Sequence, residues 1–205
     1  MAAGQPAERT ADVVVVGAGP AALLLTELLA RAGNQVVIVE RQADPTQVTQ
    51  SVMLQPSTLG ILRRLGLPRL AAPEVGRIAG LEEYGPDGQL FSGRYASLPD
   101  PPATYGQIVS LGELRRILLA QVRRSPNVTV LTSTTVHRLL RHEIGDCRME
   151  TVAAGGSGGP TRLVSSWVVA ADGKHSAVRQ LAMIDAAVPG FAHSMFLTPI
   201  PTPPG

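Results

Sequence analysis

A strand, a glycine-rich turn and a helix follow one another between Asp12 and Gln42, and this order constrains the fold more than any other feature of the sequence. The run DVVVV before the turn is apolar and β-branched, which is typical of a parallel strand buried on both faces. The segment AALLLTELLARAG after the turn is rich in helix formers, and Gly33 is placed to end the helix. QVVIVE then predicts a second strand, so the chain opens with the strand–helix–strand unit of a parallel sheet.

The turn has the pattern G-x-G-x-x-A, formed by Gly17, Ala18, Gly19, Pro20, Ala21 and Ala22. Gly17 permits a tight turn, and Gly19 lets the backbone approach a pyrophosphate that the helix N-terminus attracts. Glu40 ends the second strand about twenty residues later, where an acid binds ribose hydroxyls. The pattern predicts a site for a dinucleotide with free ribose hydroxyls, FAD or NAD rather than NADP. The alternative is a strand–helix turn that binds nothing.

The middle of the chain predicts a small antiparallel excursion at about residues 76–110, in which YGPDGQLF indicates a hairpin. A short helix at STLGILRRLGLPRL precedes the excursion, and a longer one at SLGELRRILLAQVRRS follows it. Ser110 and Glu113 have the spacing of a capping box for the longer helix. Strands are expected at NVTVLT and TTVHRLLRH, a hairpin at about 146–165, and a return to the parallel sheet at Trp167.

These elements predict an α/β fold, a Rossmann-like domain over residues 11–188 with a parallel sheet and the antiparallel excursion. Residues 1–10 are expected to be a flexible N-terminus. Residues 189–205 end in FLTPIPTPPG, which is too rich in proline for a central strand or helix.

Composition excludes several classes of function. Cys147 is the only cysteine, which rules out an internal disulfide and a cysteine-based metal cluster. Aromatic residues make up 3% of the chain and the net charge is +2, so we expect no nucleic-acid partner. We also expect a cytoplasmic protein without a membrane partner, because MAAGQPAERT is no signal peptide and the apolar runs are short. No metal site is predicted, because ligand spacing is lacking around His137, His142, His175 and His193.

Three segments together carry a family resemblance: VVVVGAGPAALLL, VIVER and WVVAADGKHSAVR. They resemble the FAD-dependent aromatic hydroxylases, the para-hydroxybenzoate hydroxylase-like group A flavoprotein monooxygenases, in particular the branch that modifies polyketides. The resemblance covers nearly all of residues 11–190. It implies an FAD-binding domain, NAD(P)H as co-substrate, and hydroxylation of an aromatic or polyketide-like small molecule with O2. It assigns no catalytic residue in this chain.

The resemblance also implies roles for residues outside the glycine turn. Arg41 lies with Glu40 against the ADP half of FAD. Asp172 and Gly173 lie near the pyrophosphate and are tied to NAD(P)H use. Val136 meets the adenine through its backbone.

Two positions depart from the family pattern. Gln50 stands where the family usually carries an arginine in a Pro-Arg-Ala-like run. Leu111 occupies the start of the middle helix, where the family has an arginine or glutamine facing the flavin, although Gln107 lies close in sequence. Both changes are expected to weaken the polar contacts to FAD without abolishing them.

The family's second FAD motif, a Gly-Asp-Ala-Ala-His-like turn, is absent from the sequence, and the substrate domain is largely missing. We therefore expect the N-terminal portion of a larger enzyme, with residues 189–205 as the start of the substrate domain. A non-catalytic remnant, a binding module, or a subunit of a split enzyme completed by a second chain are the alternatives. A small NAD-dependent reductase is a further alternative, which the Asp-Gly turn and the lack of a Tyr/Lys pair disfavour. Whether the chain alone is an enzyme stays open at this point.

Overall fold

The computed structural model of the chain describes residues 8–67, 76–98, 103–143, 145–153 and 161–186. The strands in these ranges are β1 (Glu8–Val16), β2 (Val36–Val39), β3 (Ser51–Leu54), β4 (Arg77–Ile78), β5 (Gly80–Gly85), β6 (Gly88–Arg94), β7 (Gly106–Ser110), β8 (Val128–Leu131), β9 (Thr134–Glu143), β10 (Asp146–Ala153) and β11 (Thr161–Ala170). The helices are α1 (Pro20–Arg31), α2 (Pro56–Arg64), α3 (Leu111–Val122) and α4 (Ala177–Leu181), and a 3-10 turn covers Tyr95–Ser97.

The main sheet has the strand order β8-β2-β1-β11-β10-β9. Its first four strands run parallel to one another, and β10 and β9 are antiparallel additions. The strand β1 lies inside the parallel part, and its residues from Val13 to Val16 are all buried, as an apolar β-branched run predicts. The predicted α/β class, with a parallel sheet and antiparallel strands, is therefore confirmed.

Side chains of β1 alternate between two cores, one on each face of the sheet. Val13 and Val15 pack with α1, α2 and α3 in the first core. Val14 and Val16 pack with β9, β10 and α4 in the second core, which includes Val136. This sandwich fixes the position of α1 relative to the ends of the parallel strands.

The excursion forms two small sheets, β3-β7-β4 and β5-β6. The turn between β5 and β6 lies between Gly85 and Gly88, at the hairpin predicted from YGPDGQLF. The strand β3 was not predicted, because its four residues carry no clear alternation and its stability depends on pairing with β7, from Ser51 opposite Ser110 to Leu54 opposite Gln107.

The strand β11 is one continuous element, which corrects the predicted return to the sheet at Trp167. It pairs with β1 along its length, from Arg162 opposite Glu8 to Ala170 opposite Val16. Ser165 and Ser166 interrupt the apolar pattern and suggested a break, yet both lie within the strand. The Ser165 hydroxyl donates to the carbonyl of Trp167 at 2.9 Å, so this buried polar group is satisfied inside the sheet.

The predicted capping box at α3 is only half formed. The Ser110 hydroxyl oxygen accepts from the backbone N–H of Glu113 at 3.4 Å, as predicted. The Glu113 carboxylate instead binds the Arg116 guanidinium at 2.6 and 2.7 Å. The reciprocal bond is lost because an ion pair one turn along the helix is available to the same carboxylate.

Candidate cofactor-binding site

The carboxyl ends of β1, β2 and β11 meet the N-terminus of α1 at one edge of the sheet. The backbone N–H of Gly17 donates to the carbonyl of Val39 at 2.8 Å. On the other side, the N–H of Ala171 donates to the carbonyl of Val16 at 2.9 Å. In sheets of this kind, ligands bind outside the carboxyl ends of the parallel strands. This edge is therefore the candidate site.

Gly17 makes the turn out of β1 and allows no side chain. Its φ of 102° lies in the left-handed region that favours glycine. A Cβ atom added here would lie 2.5 Å from the carbonyl oxygen of Ala171 and 3.1 Å from the Cα of Asp172. The close packing of this turn against the end of β11 brings Asp172 next to the glycine motif.

Glu40 fixes the turn from the opposite side. It is 8% exposed, and its Oε2 accepts from the backbone N–H of Ala18 at 2.7 Å. Its Oε1 accepts from the N–H of Gln42 at 2.8 Å. Each carboxylate oxygen has a further lone pair, so Glu40 can also accept from a ribose hydroxyl. The sequence spacing predicts only a ligand role for Glu40, because nothing in it reveals the bond to Ala18.

The N-terminus of α1 is open to an anion. Gly19 is the N-cap residue with an extended backbone, no side chain caps the helix, and Pro20 begins it. The first turn of α1 contains no acidic residue. A Cβ atom on Gly19 would have no protein atom within 4 Å, so the cradle beside this glycine is open. Unpaired N–H groups and the helix dipole attract negative charge at such a terminus, which fits the pyrophosphate of FAD.

The two alanines that follow Pro20 have different surroundings. Ala22 is buried and packs in the first core, where a small residue lets α1 lie close to the sheet. Ala21 is exposed at the N-terminus of the helix. Ala22 thus contributes to packing, and Ala21 lies at the solvent-exposed N-terminus of α1.

Asp172 accepts from the start of α4, whose N-cap residue is Ser176, and carries a buried acceptor. Its Oδ2 accepts from the backbone N–H groups of Ala177 at 2.7 Å and Val178 at 3.2 Å. Its Oδ1 is buried and has no hydrogen-bond partner in the described part of the chain. Gly173 follows with a φ of 91° and is exposed. The Asp-Gly pair therefore forms a turn beside the glycine motif, with one acceptor available to a donor such as a ligand hydroxyl or water.

The start of β9 lies beside Glu40. The N–H of Thr134 donates to the carbonyl of Glu40 at 2.9 Å, and Val136 follows two residues later. The side chain of Val136 is buried in the second core, so only its backbone is open to a ligand role. Arg41 is exposed immediately after Glu40. Arg41 and Val136 thus lie close in sequence to Glu40 and Thr134, whose backbones are hydrogen-bonded to each other.

Gln107 lies in the small sheet β3-β7-β4 and Gln50 immediately precedes β3, away from the contacts that join the glycine turn to Glu40 and Asp172. The carbonyl of Gln50 accepts from the N–H of Leu111 at 2.9 Å, and Gln50 is exposed. Gln107 is buried on β7, opposite Leu54 and Arg77. Leu111 packs in the first core and therefore does not stand in for a polar residue facing a ligand.

The described ranges contain neither a metal cluster nor a membrane-spanning helix. No group of three His, Cys, Asp or Glu residues there is close enough to hold a metal ion. None of the helices described is long and apolar enough to cross a membrane.

Comparison with known proteins identifies the family. Residues 10–200 match the family model described as "FAD binding domain". The chain therefore belongs to this family of FAD-binding domains. This match confirms the predicted family and FAD as the cofactor, and the open α1 terminus fits the pyrophosphate of that cofactor.

Two curated relatives are monooxygenases of streptomycetes. The chain is 34% identical over 199 residues to protoasukamycin 4-monooxygenase of Streptomyces nodosus subsp. asukaensis, covering 95% of this chain and 49% of the relative. It is 36% identical over 183 residues to 6-methylpretetramide 4-monooxygenase of Streptomyces rimosus, covering 84% of this chain and 41% of the relative. The chain thus spans about half or less of the length of these relatives.

Solved structures give the same fold. The p-nitrophenol 4-monooxygenase of Pseudomonas putida DLL-E4 matches with a TM-score of 0.71 and 25% identity, covering 86% of this chain and 44% of that one. The anhydrotetracycline hydroxylase of Streptomyces rimosus matches with a TM-score of 0.73 and 23% identity, covering 86% of this chain and 34% of that one. The family match and the two curated relatives confirm the predicted resemblance to polyketide-modifying hydroxylases.

Proposed function

We propose that this chain is the FAD-binding part of a flavoprotein monooxygenase that uses NAD(P)H and O2 to hydroxylate an aromatic or polyketide-like small molecule. The observation that carries the proposal is the meeting of the uncapped α1 terminus, Glu40 and Asp172 at the end of the parallel sheet. The relatives named as 4-monooxygenases of protoasukamycin and 6-methylpretetramide support the substrate class.

When bound, FAD supplies the redox chemistry, taking a hydride from NAD(P)H and activating O2. The protein holds and orients the cofactor. The N–H groups at the start of α1, beside Gly19, bind the pyrophosphate. Glu40 accepts from the ribose hydroxyls of the ADP half while it holds the turn at Ala18.

The other proposed contacts extend from the same edge. Arg41 and the backbone of Val136 lie along the adenine side. Asp172 and Gly173 approach the pyrophosphate, where the buried Oδ1 of Asp172 accepts from a ligand hydroxyl or a bridging water. Gln50, just before β3, and Gln107, on β7, contact the flavin side of the cofactor.

We propose that hydroxylation also requires the regions of these relatives that lie beyond the match, supplied either by the same polypeptide or by a second chain, and that the enzyme acts in the cytoplasm. The chain spans 49% and 41% of two monooxygenase relatives. The hairpin β5–β6 exposes Leu81, Tyr84, Leu90 and Phe91. Large apolar side chains clustered on one hairpin mark a surface that another part of an assembly covers.

The same exposed hairpin favours a second candidate function, a binding module without hydroxylase activity of its own. This module would hold FAD or a protein partner through the same surfaces. Activity in the presence of a complementing chain separates the two candidates.

The first experiment is an FAD titration of the purified chain followed by visible absorption and flavin fluorescence. The proposal predicts a bound-flavin spectrum, and NADPH consumption coupled to product formation once a complementing chain is added. A protein that binds FAD but never supports hydroxylation would leave the binding module as the function. A colourless protein that ignores FAD, with and without a complementing chain, would refute the first candidate and the FAD-binding form of the second.

A further inference from the structure

The segment between β2 and β3, residues 41–50, contains neither helix nor strand, yet it is attached to α3 at several points. Its two end residues, Arg41 and Gln50, are both proposed above to contact FAD. Most of the segment is exposed, whereas Pro45 in its middle is buried. The positions of Arg41 and Gln50 therefore depend on what fixes the backbone between them.

A turn at Asp44 gives the middle of the segment its shape. The Oδ1 of Asp44 accepts from the backbone N–H of Thr46 at 2.9 Å and from the Thr46 hydroxyl at 2.6 Å. The Oδ2 accepts from the side-chain amide of Gln47 at 3.0 Å. The N–H of Val48 donates to the carbonyl of Thr46 at 2.8 Å. These bonds all lie within the segment, so they do not attach it to the rest of the chain.

The first turns of α3 provide the attachment. The Arg115 guanidinium donates through Nη1 to the carbonyl of Pro45 at 2.9 Å. The backbone N–H of Leu111 donates to the carbonyl of Gln50 at 2.9 Å. Residues four apart lie on the same side of a helix, so both bonds are made from one face of α3. Val48 adds packing against the first core.

Gly112 lies beside Leu111 on the helix, and its missing side chain sets the distance between α3 and the segment. A Cβ atom at Gly112 would lie 2.7 Å from the carbonyl oxygen of Thr46 and 2.8 Å from that of Val48. A methyl group at this position would therefore displace either the segment or the helix. Glycine is also a weaker helix former than alanine, so this residue destabilises α3 while it lets the segment lie close.

Arg115 is an unfavourable residue for packing at its position. It lies on the apolar stripe of α3, four residues after Leu111 and three before Leu118, both of which are buried. Its Nε is buried without a hydrogen-bond partner, and no carboxylate pairs with its guanidinium, among the residues that the structure describes. A buried charged donor without a partner destabilises a fold. Packing alone therefore favours an apolar residue here, and the bond to Pro45 is what arginine adds.

We infer that Gly112 and Arg115 are positioning residues for cofactor binding. Gly112 lets the segment lie against α3, and Arg115 holds it there through the carbonyl of Pro45. Arg41 and Gln50 are thereby presented to FAD, so Gly112 and Arg115 act through the segment and not by contact with the cofactor. The effect on FAD rests on the proposed function, whereas the attachment of the segment to α3 is a property of the apoprotein.

The test replaces Arg115 with methionine, which keeps an unbranched side chain for packing and removes the donors. In the apoprotein, the backbone N–H groups of Thr46 and Val48 should exchange with solvent at least about tenfold faster, because the segment opens more easily. FAD affinity, measured by fluorescence titration, should fall about tenfold or more, the factor that one hydrogen bond to a charged group contributes. The melting temperature should stay the same or rise, because the buried Nε without a partner is gone.

Three further variants complete the set. Arg116→Met is the matched control, because the Arg116 side chain is exposed and pairs with Glu113 within the helix, and it should leave both exchange in the segment and FAD affinity unchanged. Arg115→Lys keeps a charged donor for the Pro45 carbonyl and should recover most of the affinity. Gly112→Ala should weaken FAD binding about tenfold, although alanine is the better helix former.

A double-mutant cycle determines whether Arg115 acts through the ends of the segment. In a chain that carries both Arg41→Ala and Gln50→Ala, adding Arg115→Met should weaken FAD binding by less than about threefold, because the contacts that it positions are already gone. An equal loss in both backgrounds would overturn the positioning role.

Other results would also overturn it. A lower melting temperature for Arg115→Met with unchanged FAD affinity would be the result of an arginine that serves the fold alone. Unchanged exchange of Thr46 and Val48 in that variant would show that Arg115 does not hold the segment. A wild-type chain that binds FAD no better than its Arg115→Met and Gly112→Ala variants refutes the positioning role and leaves the proposed function standing. A wild-type chain that never binds FAD refutes both.

Discussion

Replacing Gly19 with aspartate should stabilise the apoprotein against unfolding and abolish cofactor binding. Gly19 has a φ of −70° and its Cβ position is open, so the new side chain is accommodated without strain. Aspartate is a better N-cap than glycine by a few tenths of a kcal/mol, and its charge adds about 0.3–1 kcal/mol at a helix N-terminus. The melting temperature of the apoprotein should therefore rise by about 1–4 °C.

The same carboxylate occupies the cradle proposed for the pyrophosphate. Two unit charges about 4 Å apart repel by about 4 kcal/mol at an effective dielectric constant of about 20. A penalty of that size weakens FAD binding about a thousandfold. Fluorescence titration with FAD measures the affinity, and differential scanning fluorimetry measures the melting temperature.

Gly19→Asn is the matched control, because asparagine has the same shape and similar capping strength without the charge. It should lose affinity through bulk alone, and so should bind FAD more tightly than Gly19→Asp. If the aspartate and asparagine variants bind FAD equally well, no anion lies at the α1 terminus. A lower melting temperature for Gly19→Asp would show that this terminus is already occupied by another group of the protein.

Three more variants test other parts of the structure. Gly17→Ala should lower the melting temperature by about 4–8 °C, because a positive φ and a clash with Ala171 together cost about 2 kcal/mol or more. The control Gly33→Ala also has a positive φ but meets open space, so it should cost about half as much. Equal losses of stability in the two variants would show that the clash with Ala171 contributes nothing. Glu40→Gln should destabilise the apoprotein by about 1–3 kcal/mol in urea titrations, because an amide offers one acceptor oxygen to the N–H groups of Ala18 and Gln42. Unchanged stability of the apoprotein would show that Glu40 has only a ligand role. Burial raises the pKa of the Cys147 thiol, so its contribution to stability is complete below the ordinary thiol pKa and is lost as the pH rises through the raised value. Cys147→Ala should flatten this alkaline loss, and parallel pH profiles for the two proteins would argue against it.

The glycine turn could be predicted because its determinants are local. Gly17 and Gly19 lie between a strong strand and a strong helix, and Glu40 ends the next strand, so the sequence alone brings them to one edge. The bond from Ala18 to Glu40 could not be predicted, because it depends on the rotamer of a side chain that spacing does not specify.

The unpredicted parts of the fold depend on distant partners. The strand β3 exists because β7 lies beside it, and Ser51–Leu54 has little strand character of its own. The continuity of β11 through Ser165 and Ser166 depends on β1, which pairs along its whole length. In each case tertiary contacts outweighed the local pattern.

The position of Asp172 links the glycine turn to a distant helix. Its carboxylate accepts from the first N–H groups of α4, while its backbone adjoins the turn at Gly17. A cofactor that orders the turn should therefore also stabilise α4. Because such coupling is reciprocal, the factor by which FAD favours the folded α4 must equal the factor by which the folded α4 raises the affinity for FAD.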